Sequence, residues 1–303
     1  MVRFAGSPER SKAHQQLPPI EYRQQHAIYQ TQKEVMMRWE ELTGDRFVEA
    51  VKECEGVCLI ALSVIERHGH HLAMGTDMYE GRGMLERVAK QEPVVLFPDY
   101  YFTQIPEARH LAGTISIDGD LMIRLLDNVC REIARNGLKK IVLVNTHGGN
   151  FGLTMFYNML QLYQPKDYVV YLVQPFTFME QVETPWPPEE DGHAGPGETS
   201  MMLALRPDLV HMEALQDDEE GKARNRLQHL SEAHVQTGIW WYADHPTHYS
   251  GNAKYATAEA GEKILDAAAA GIVRAVRAIK ADTEAKRLQD AFFAASSQPG
   301  VGL

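Results

Sequence analysis

The stretch Val57-Cys58-Leu59-Ile60-Ala61-Leu62-Ser63-Val64 decides the fold of this chain. It is a continuous run of mostly apolar residues between Gly56 and a polar segment, too short for a long helix and rich in branched side chains. Such a run is typical of a strand that is buried on both faces. Similar runs at 93–97, 140–145 and 168–173 predict three more strands.

Helical patterns lie between and around these strands. The segment of about 119–136 begins after Asp118, a plausible N-cap, and ends at Asn136-Gly137, a common stop signal. Strands that alternate with helices imply βαβ units, a largely parallel sheet and helices on both of its faces. The stretch 174–197, rich in Pro, Glu and Gly, is expected to be a long functional loop. Further helices are predicted at about 21–42, 45–52, 151–163 and 257–286.

The composition excludes several classes of protein. With 303 residues, 44% hydrophobic and 23% charged, the chain can bury a large core and is not disordered. A net charge of -11 argues against nucleic acids and anionic membranes as partners. No run of 18 apolar residues predicts a membrane span, and no apolar leader precedes residue 20. Three cysteines without metal-type spacing indicate reduced thiols and a cytoplasmic location: Cys54, Cys58 and Cys130.

Polar clusters follow the strands at 57–64 and 140–145. Glu66, His68 and Asp77 come after the first strand, and His147 comes after the other. The carboxyl ends of parallel strands form the ligand crevice of an open sheet, so both clusters can face one cavity. Carboxylate and imidazole ligands together suit Zn, Mn or Fe. A carboxylate such as Asp77 could bridge two metal ions about 3.5–4 Å apart.

A third polar segment, 193–200, closes the long loop and begins a helix. Pro196 and Gly197 suit a helix start, and Glu198 in the first turn is favoured by the helix dipole, so Glu198 is either a dipole partner or a ligand. His193 alone is ambiguous as well: it is either a solvated loop residue or a functional one. The segment Trp240-Trp241-Tyr242 could line a pocket or an oligomer contact, although burial in the core is the commoner outcome. The chain has no phosphate-binding glycine loop and no Gly-x-Ser-x-Gly elbow.

These motifs resemble the signature of the creatininase (creatinine amidohydrolase) family, in family order from about residue 55 to 275. The matching segments are Glu66-x-His68-Gly69-x-His71 with Gly75-Thr76-Asp77, Asn145-x-His147-Gly148-Gly149-Asn150, and His193-Ala194-Gly195-x-x-Glu198-Thr199-Ser200. The resemblance implies a three-layer α/β/α sandwich with a mostly parallel central sheet. It also implies a homo-oligomer, a hexamer in the family. We expect an N-terminal helical extension over 1–50, the hydrolase domain over 51–285 and a C-terminal tail over 286–303.

The resemblance also implies a site with two divalent metal ions, which are Zn, Mn or Fe. Glu66 and His147 would bind one ion and His68 the other, with Asp77 bridging them. A water between the ions would be the nucleophile, and His193 would transfer the proton. Creatininase has a metal-binding Glu two residues after the motif His. Here Gly149 stands in that place, so Glu198 must complete the second metal site.

Departures from the family pattern favour a substrate other than creatinine. Arg67 and His70 add a cation and an imidazole near the site, and Glu189 stands where creatininase has a substrate-stacking Trp. We expect Arg67, His71 and Trp186 to bind the substrate. The leading hypothesis is a hydrolase of a small cyclic amide or a related cyclic carbonyl compound. The alternatives are cleavage of a C–C bond in a cyclic diketone of the 3-dehydro-scyllo-inosose type, as in inositol catabolism, and a non-catalytic metal-binding maturation factor.

Overall fold

One parallel sheet organises the part of the chain that the computed structural model describes, residues 36–215 and 219–300. Its five strands lie in the order β1-β3-β2-β4-β5, and all the paired strands run parallel. Six residue pairs join the two central strands β2 and β4, from Val57 opposite Lys140 to Leu62 opposite Asn145. The strands are β1 (Met37–Arg38), β2 (Val57–Leu62), β3 (Val95–Leu96), β4 (Lys140–Asn145) and β5 (Val169–Val173).

Helices cover both faces of this sheet. Alternate residues of β2 enter opposite cores: Leu59 packs in the same cluster as helices α2 and α9, and Ile60 packs in the same cluster as α1 and α3. This alternation confirms the predicted three-layer α/β/α sandwich. The α-helices are α1 (Gly44–Glu53), α2 (Thr76–Ala89), α3 (Gly119–Arg135), α4 (Phe151–Leu160), α5 (Phe176–Met179), α6 (Pro196–Leu205), α7 (Gln228–Glu232), α8 (Trp240–Asp244), α9 (Ala258–Ala281) and α10 (Glu284–Ser296).

The N-terminal elements differ from the expectation. Most of the predicted helical extension, residues 1–35, lies outside the described residues. At 36–42 the predicted helix is wrong, because the chain forms strand β1 and a 3₁₀ turn at Trp39–Glu41 instead. Met37 pairs with Val95, which makes β1 an edge strand of the sheet. Two residues are too few to give the alternating pattern by which a strand is recognised.

The C-terminal region forms two helices where one was predicted. Helix α9 ends at Ala281, and the Asp282 carboxylate accepts hydrogen bonds from the backbone amides of Glu284 and Ala285. This capping starts α10, which runs to Ser296 through most of the predicted tail. Gln289 on α10 donates to the backbone carbonyls of Lys166 and Tyr168, next to β5.

A close contact between two helices positions part of the later site. A Cβ atom at Gly261 of α9 would lie 1.9 Å from the carbonyl oxygen of Ser200 on α6, so only glycine allows this approach. The backbone amide of Thr257, the N-cap of α9, also donates to the Ser200 hydroxyl at 3.0 Å. Helix α9 thus fixes the first turns of α6, which carry Glu198.

The three cysteines are free and buried in the structure. Among the described residues, no helix is both long and apolar enough to cross a membrane.

Candidate metal centre

The two central strands deliver the first ligand candidates to one place. The chain leaves β2 for β3 on one side and reaches β4 on the other side, so β2 and β4 flank the point where the strand order reverses. Crevices for ligands form at such points, beyond the carboxyl ends of the strands. Glu66 and His68 follow β2, and His147 follows β4 by two residues. Asp77 lies in the first turn of α2, and Glu198 lies in the first turn of α6.

The structure brings these five predicted side chains together. Nε2 of His68 lies 3.6 Å from Oδ2 of Asp77 and 3.7 Å from Oε2 of Glu198. Nδ1 of His147 lies 2.9 Å from Oε1 of Glu66 and 3.8 Å from Oδ1 of Asp77. The two oxygens of Asp77 therefore face different histidines, which is the arrangement that a bridging carboxylate needs.

Unpaired polar atoms indicate that this cluster fits metal ions. Nε2 of His68 and Oδ2 of Asp77 are buried and have no hydrogen-bond partner. Leaving such atoms unpaired in a protein interior is costly, and a bound cation removes the cost. Glu66, Asp77 and His147 form one group of ligand atoms within 4.8 Å of one another, as predicted for the first ion. A second group contains the predicted ligands His68 and Glu198 together with His193, which was expected to transfer a proton and not to bind metal. This mixture of carboxylates and imidazoles fits Zn, Mn or Fe.

The electrostatics are those of a tightly coupled cluster. Burial acts to raise the pKa of Glu66, but the neighbouring His147 and His193 outweigh it and hold that pKa well below its ordinary value. Burial also acts to lower the pKa of His147, and the Glu66 and Asp77 carboxylates raise it well above the usual range. Burial raises the pKa of Glu198 to about 7. Metal binding at this cluster would therefore compete with the proton on His147, since an imidazole binds a cation only in its neutral form.

His193 lies beside the cluster with a defined orientation. Its Nε2 donates to the backbone carbonyl of Arg67 at 2.9 Å, so Nδ1 carries the free lone pair of the neutral ring. Nδ1 lies 4.0 Å from Oε2 of Glu198, and the His193 ring lies 4.4 Å from that of His68 between centroids. Burial lowers the pKa of His193 well below its ordinary value. The ring is therefore neutral at neutral pH, with its lone pair on Nδ1.

The three residues expected to bind substrate lie away from the cavity beside the cluster. The Arg67 guanidinium is held by the Gly69 carbonyl and by His70. His71 is buried and its Nε2 lies 2.8 Å from the Thr199 hydroxyl, while Trp186 is part of the core under α9. None of the three lines the cavity, although they support loops around it.

Other side chains form the walls of this cavity, which has a volume of about 310 Å³. Trp240, Trp241 and Phe176 supply aromatic surface, and the Glu107 carboxylate supplies a charge. His248 also lines it and lies 2.6 Å from Oε2 of Glu66. The sequence reasoning missed Phe176, Glu107 and His248, and it left Trp240 and Trp241 undecided. The sequence signal for Trp240, Trp241 and His248 was the density of Trp and His between residues 240 and 248.

Comparisons with known proteins agree with the geometry. The family model described as creatininase, creatinine amidohydrolase, matches residues 40–276. A creatinine amidohydrolase of Pseudomonas putida is 26% identical over 257 residues, which cover 78% of this chain and 95% of that protein. A 3-dehydro-scyllo-inosose hydrolase of Thermotoga maritima is 26% identical over 246 residues, which cover 75% of this chain and 78% of that protein.

The structural comparison gives the same family. A solved structure described as "Creatininase Mn" superimposes with a TM-score of 0.67 at 25% identity and covers 82% of this chain and 100% of that one. An identity of this size is low enough for a different substrate within one family. The chain belongs to the creatininase (creatinine amidohydrolase) family and is a metal-dependent hydrolase.

Proposed function

We propose that this enzyme hydrolyses a small cyclic amide, or a related cyclic carbonyl compound, at a centre of two divalent metal ions. The observation that carries the proposal is the position of Asp77, with one oxygen 3.8 Å from His147 and the other 3.6 Å from His68. A carboxylate that bridges two metal ions directs its two oxygens at two separate ligand groups in this way.

Each metal position has a distinct set of residues. Glu66 and His147 would hold one ion, His68 and Glu198 the other, and Asp77 would contact both. Zn, Mn and Fe all suit this set. Bound there, the ions would acidify a water molecule and polarise the substrate carbonyl.

His193 is placed to move the proton. Its Nδ1 lone pair can accept a proton from the attacking water, because Nε2 is committed to the Arg67 carbonyl. The imidazolium so formed lies 4.0 Å from Glu198, whose negative charge would stabilise it. The same Nδ1 proton can then pass to the leaving nitrogen. General acid–base catalysis of this kind contributes about 10²–10⁴-fold to a rate.

The cavity supports a small, flat substrate. Its volume of about 310 Å³ is at the lower end of the range for ligand pockets, and indole and phenyl rings make up part of its wall. The Glu107 carboxylate in the same wall suits a substrate that presents N–H or O–H donors.

A second candidate reaction is hydrolysis of a C–C bond in a cyclic diketone. The similarity to the inosose hydrolase of T. maritima, over 75% of this chain, favours it. The same ions and the same proton transfer would serve, with a carbon in place of nitrogen as the leaving atom. A non-catalytic maturation factor is no longer a candidate, because the chain is a hydrolase.

A substrate panel tests the proposal. The enzyme loaded with Mn²⁺ or Zn²⁺ is incubated with five-membered cyclic amides and with 3-dehydro-scyllo-inosose, and products that have gained one water are sought by mass spectrometry. We expect ring opening of at least one cyclic amide, with a loss of about 10²-fold or more in His193→Gln at unchanged metal content. Turnover of the diketone alone would favour the second candidate, and a metal-loaded enzyme inert on both classes would contradict the proposal.

We also propose that the enzyme is a homo-oligomer, a hexamer by family resemblance, located in the cytoplasm. Helix α4 presents an apolar outer face, on which Phe151, Phe156 and Met159 are 55%, 49% and 63% exposed. Large exposed apolar patches mark interaction surfaces, and a second copy of this chain is the partner that we propose. The three free cysteines agree with a reducing compartment. We propose further that residues 51–285 carry the catalytic functions.

A further inference from the structure

A chain of hydrogen bonds leads from the aromatic wall of the cavity to one of the proposed metal ligands. The indole Nε1 of Trp241 donates to Nδ1 of His248 at 2.7 Å. Nε2 of His248 lies 2.6 Å from Oε2 of Glu66. His248 is 2% exposed and Glu66 is completely buried. Neither Trp241 nor His248 belongs to the family motifs in the sequence, and the proposed reaction gives them no role.

Trp241 decides where His248 carries its proton. An indole N–H group can only donate, so Nδ1 of His248 must accept with its lone pair. The neutral imidazole then has its hydrogen on Nε2, the atom that faces Glu66. His248 therefore donates to Oε2 of Glu66, and its tautomer is fixed by a residue on the opposite side of the ring.

The same chemistry argues against His248 as a metal ligand. Three ligand atoms, one each from Glu66, His193 and His248, lie within 4.8 Å of one another. By distance alone, a metal ion could bind between these three residues. An imidazole that binds metal through Nε2 keeps its hydrogen on Nδ1. That hydrogen would then face the Trp241 N–H group at 2.7 Å, donor against donor. His248 is thus built to donate a hydrogen bond.

The backbone around His248 is also constrained. Its φ of 55° is in the left-handed region, which is uncommon for a residue with a side chain. Such conformations persist where the surroundings over-determine them, often at functional sites. The backbone amide of Gly69, next to His68, donates to the His248 carbonyl at 3.4 Å. His248 is thereby tied to the loop that carries two of the proposed ligands.

We propose that His248, held by Trp241, is a positioning residue that occupies Oε2 of Glu66 and leaves Oε1 as the single metal-binding atom of that carboxylate. Oε1 is the Glu66 oxygen that faces the other proposed ligand His147, 2.9 Å from its Nδ1, and Glu66, Asp77 and His147 form one group of close ligand atoms. Hydrogen bonds from a second residue orient a ligand and tune its basicity, and their loss costs about 10–100-fold in metal affinity or activity. This inference rests on the proposed metal centre.

Metal affinity, measured by competition with a chromogenic chelator, provides a test that needs no substrate. His248→Leu removes both hydrogen bonds and should weaken binding of one Mn²⁺ or Zn²⁺ ion by about 10–100-fold with no change in stoichiometry. His248→Gln keeps an amide donor and should restore most of that loss. Trp241→Phe keeps an aromatic ring without the N–H group and should give an intermediate affinity. Trp39→Phe, which removes an indole that packs against Phe47 and Phe97 beside β1, is the matched control and should leave metal affinity unchanged.

Three results would overturn the inference. Loss of one bound ion in both His248→Leu and His248→Gln would make His248 a ligand. Wild-type affinity in His248→Leu and Trp241→Phe would remove the positioning role while leaving the proposed function intact. A wild-type enzyme that binds no metal would overturn the proposed function and the inference together. If His248→Leu does not fold, as judged by circular dichroism, the comparison of Trp241→Phe with Trp39→Phe decides.

Discussion

Gly149 stands where creatininase carries a metal-binding Glu, and the surroundings of Gly149 leave no room for a side chain. A Cβ atom there would lie 2.6 Å from Nε2 of His147 and 3.1 Å from Oε1 of Glu107. Restoring the family's Glu at this position would therefore displace His147 before its carboxylate could reach a metal ion. A glycine at position 149 therefore goes together with the close approach of the His147 ring to the backbone at this position.

Gly149→Ala should consequently disturb the proposed metal centre. The added methyl group pushes against the buried His147 ring, and we expect about tenfold weaker metal binding. Gly148→Ala is the matched control, because a Cβ at Gly148 meets no atom within 4 Å. Both variants are compared with the wild type by chelator competition. Equal affinities in the two variants would show that His147 tolerates the contact.

Glu198 is the other residue on which the proposed second metal position depends. Its Oε2 accepts a hydrogen bond from the Ala194 amide at 2.6 Å and lies 3.7 Å from Nε2 of His68. We expect Glu198→Gln to reduce the metal content from two ions to one per chain, measured by inductively coupled plasma mass spectrometry. Glu189→Gln, an exposed carboxylate in the preceding loop, should leave the content at two. Two ions in Glu198→Gln would make its ligand role wrong.

At the scale of elements, an ion-pair cluster joins the end of α9 to the segment after α2. Arg277 and Lys280, both on α9, contact the Glu92 carboxylate. The hydrogen bond from Arg277 is the main reason why the pKa of Glu92 is lowered from its ordinary value of 4.5. A lowered pKa in the folded state stabilises the fold above the unfolded pKa, and this stability is lost as the pH falls through the folded pKa.

Glu92→Gln should therefore destabilise the protein in a pH-dependent way. Because Arg277 is 61% exposed, solvent screening limits the expected loss to about 0.5–1 kcal/mol at pH 7. The difference from the wild type should shrink as the pH falls below about 4. Urea denaturation at several pH values measures it, with Glu183→Gln, an exposed loop carboxylate, as the control. A loss that does not change with pH would point to packing instead of charge.

The length of an element and the sequence separation of its contacts determine how much of the structure the sequence could predict. Five of the six residues of β2 are buried, so its apolar run was visible, whereas the two-residue strand β1 leaves no periodic signal. Asp77 and Glu198 could be proposed because they lie within local motifs. His248 could not, because it lies 182 residues from Glu66 and only the packing of the loops brings the two together.

At the scale of the whole molecule, the metal centre should couple to global stability. The buried cluster contains unpaired polar atoms that a cation would satisfy, so metal ions bind the folded state in preference to the unfolded one. At a free metal concentration of 100 times Kd the gain is about 2.7 kcal/mol. For a chain of 303 residues this corresponds to an increase of about 4 °C in Tm.

Calorimetry of the protein with a chelator and with added Mn²⁺ or Zn²⁺ measures this increase. We expect the chelator to lower Tm and the metal to restore it. Asp77→Asn removes the carboxylate between the two ligand groups and should lose most of the metal-dependent increase. A Tm that is the same with chelator and with metal would contradict the coupling.

The position of the metal centre beyond the ends of β2 and β4 has a consequence for how this enzyme can diverge. The residues that hold the sheet together end at Leu62 and Asn145, and the chemistry begins only after them. The cavity walls come from separate loops and the short helical turns within them, which supply Glu107, Phe176 and Trp240. New substrate specificities can therefore arise by substitution of the wall residues in one loop at a time. The residues that form the sheet need not change. A combinatorial library over those loops is the natural way to redirect the enzyme to other ring compounds.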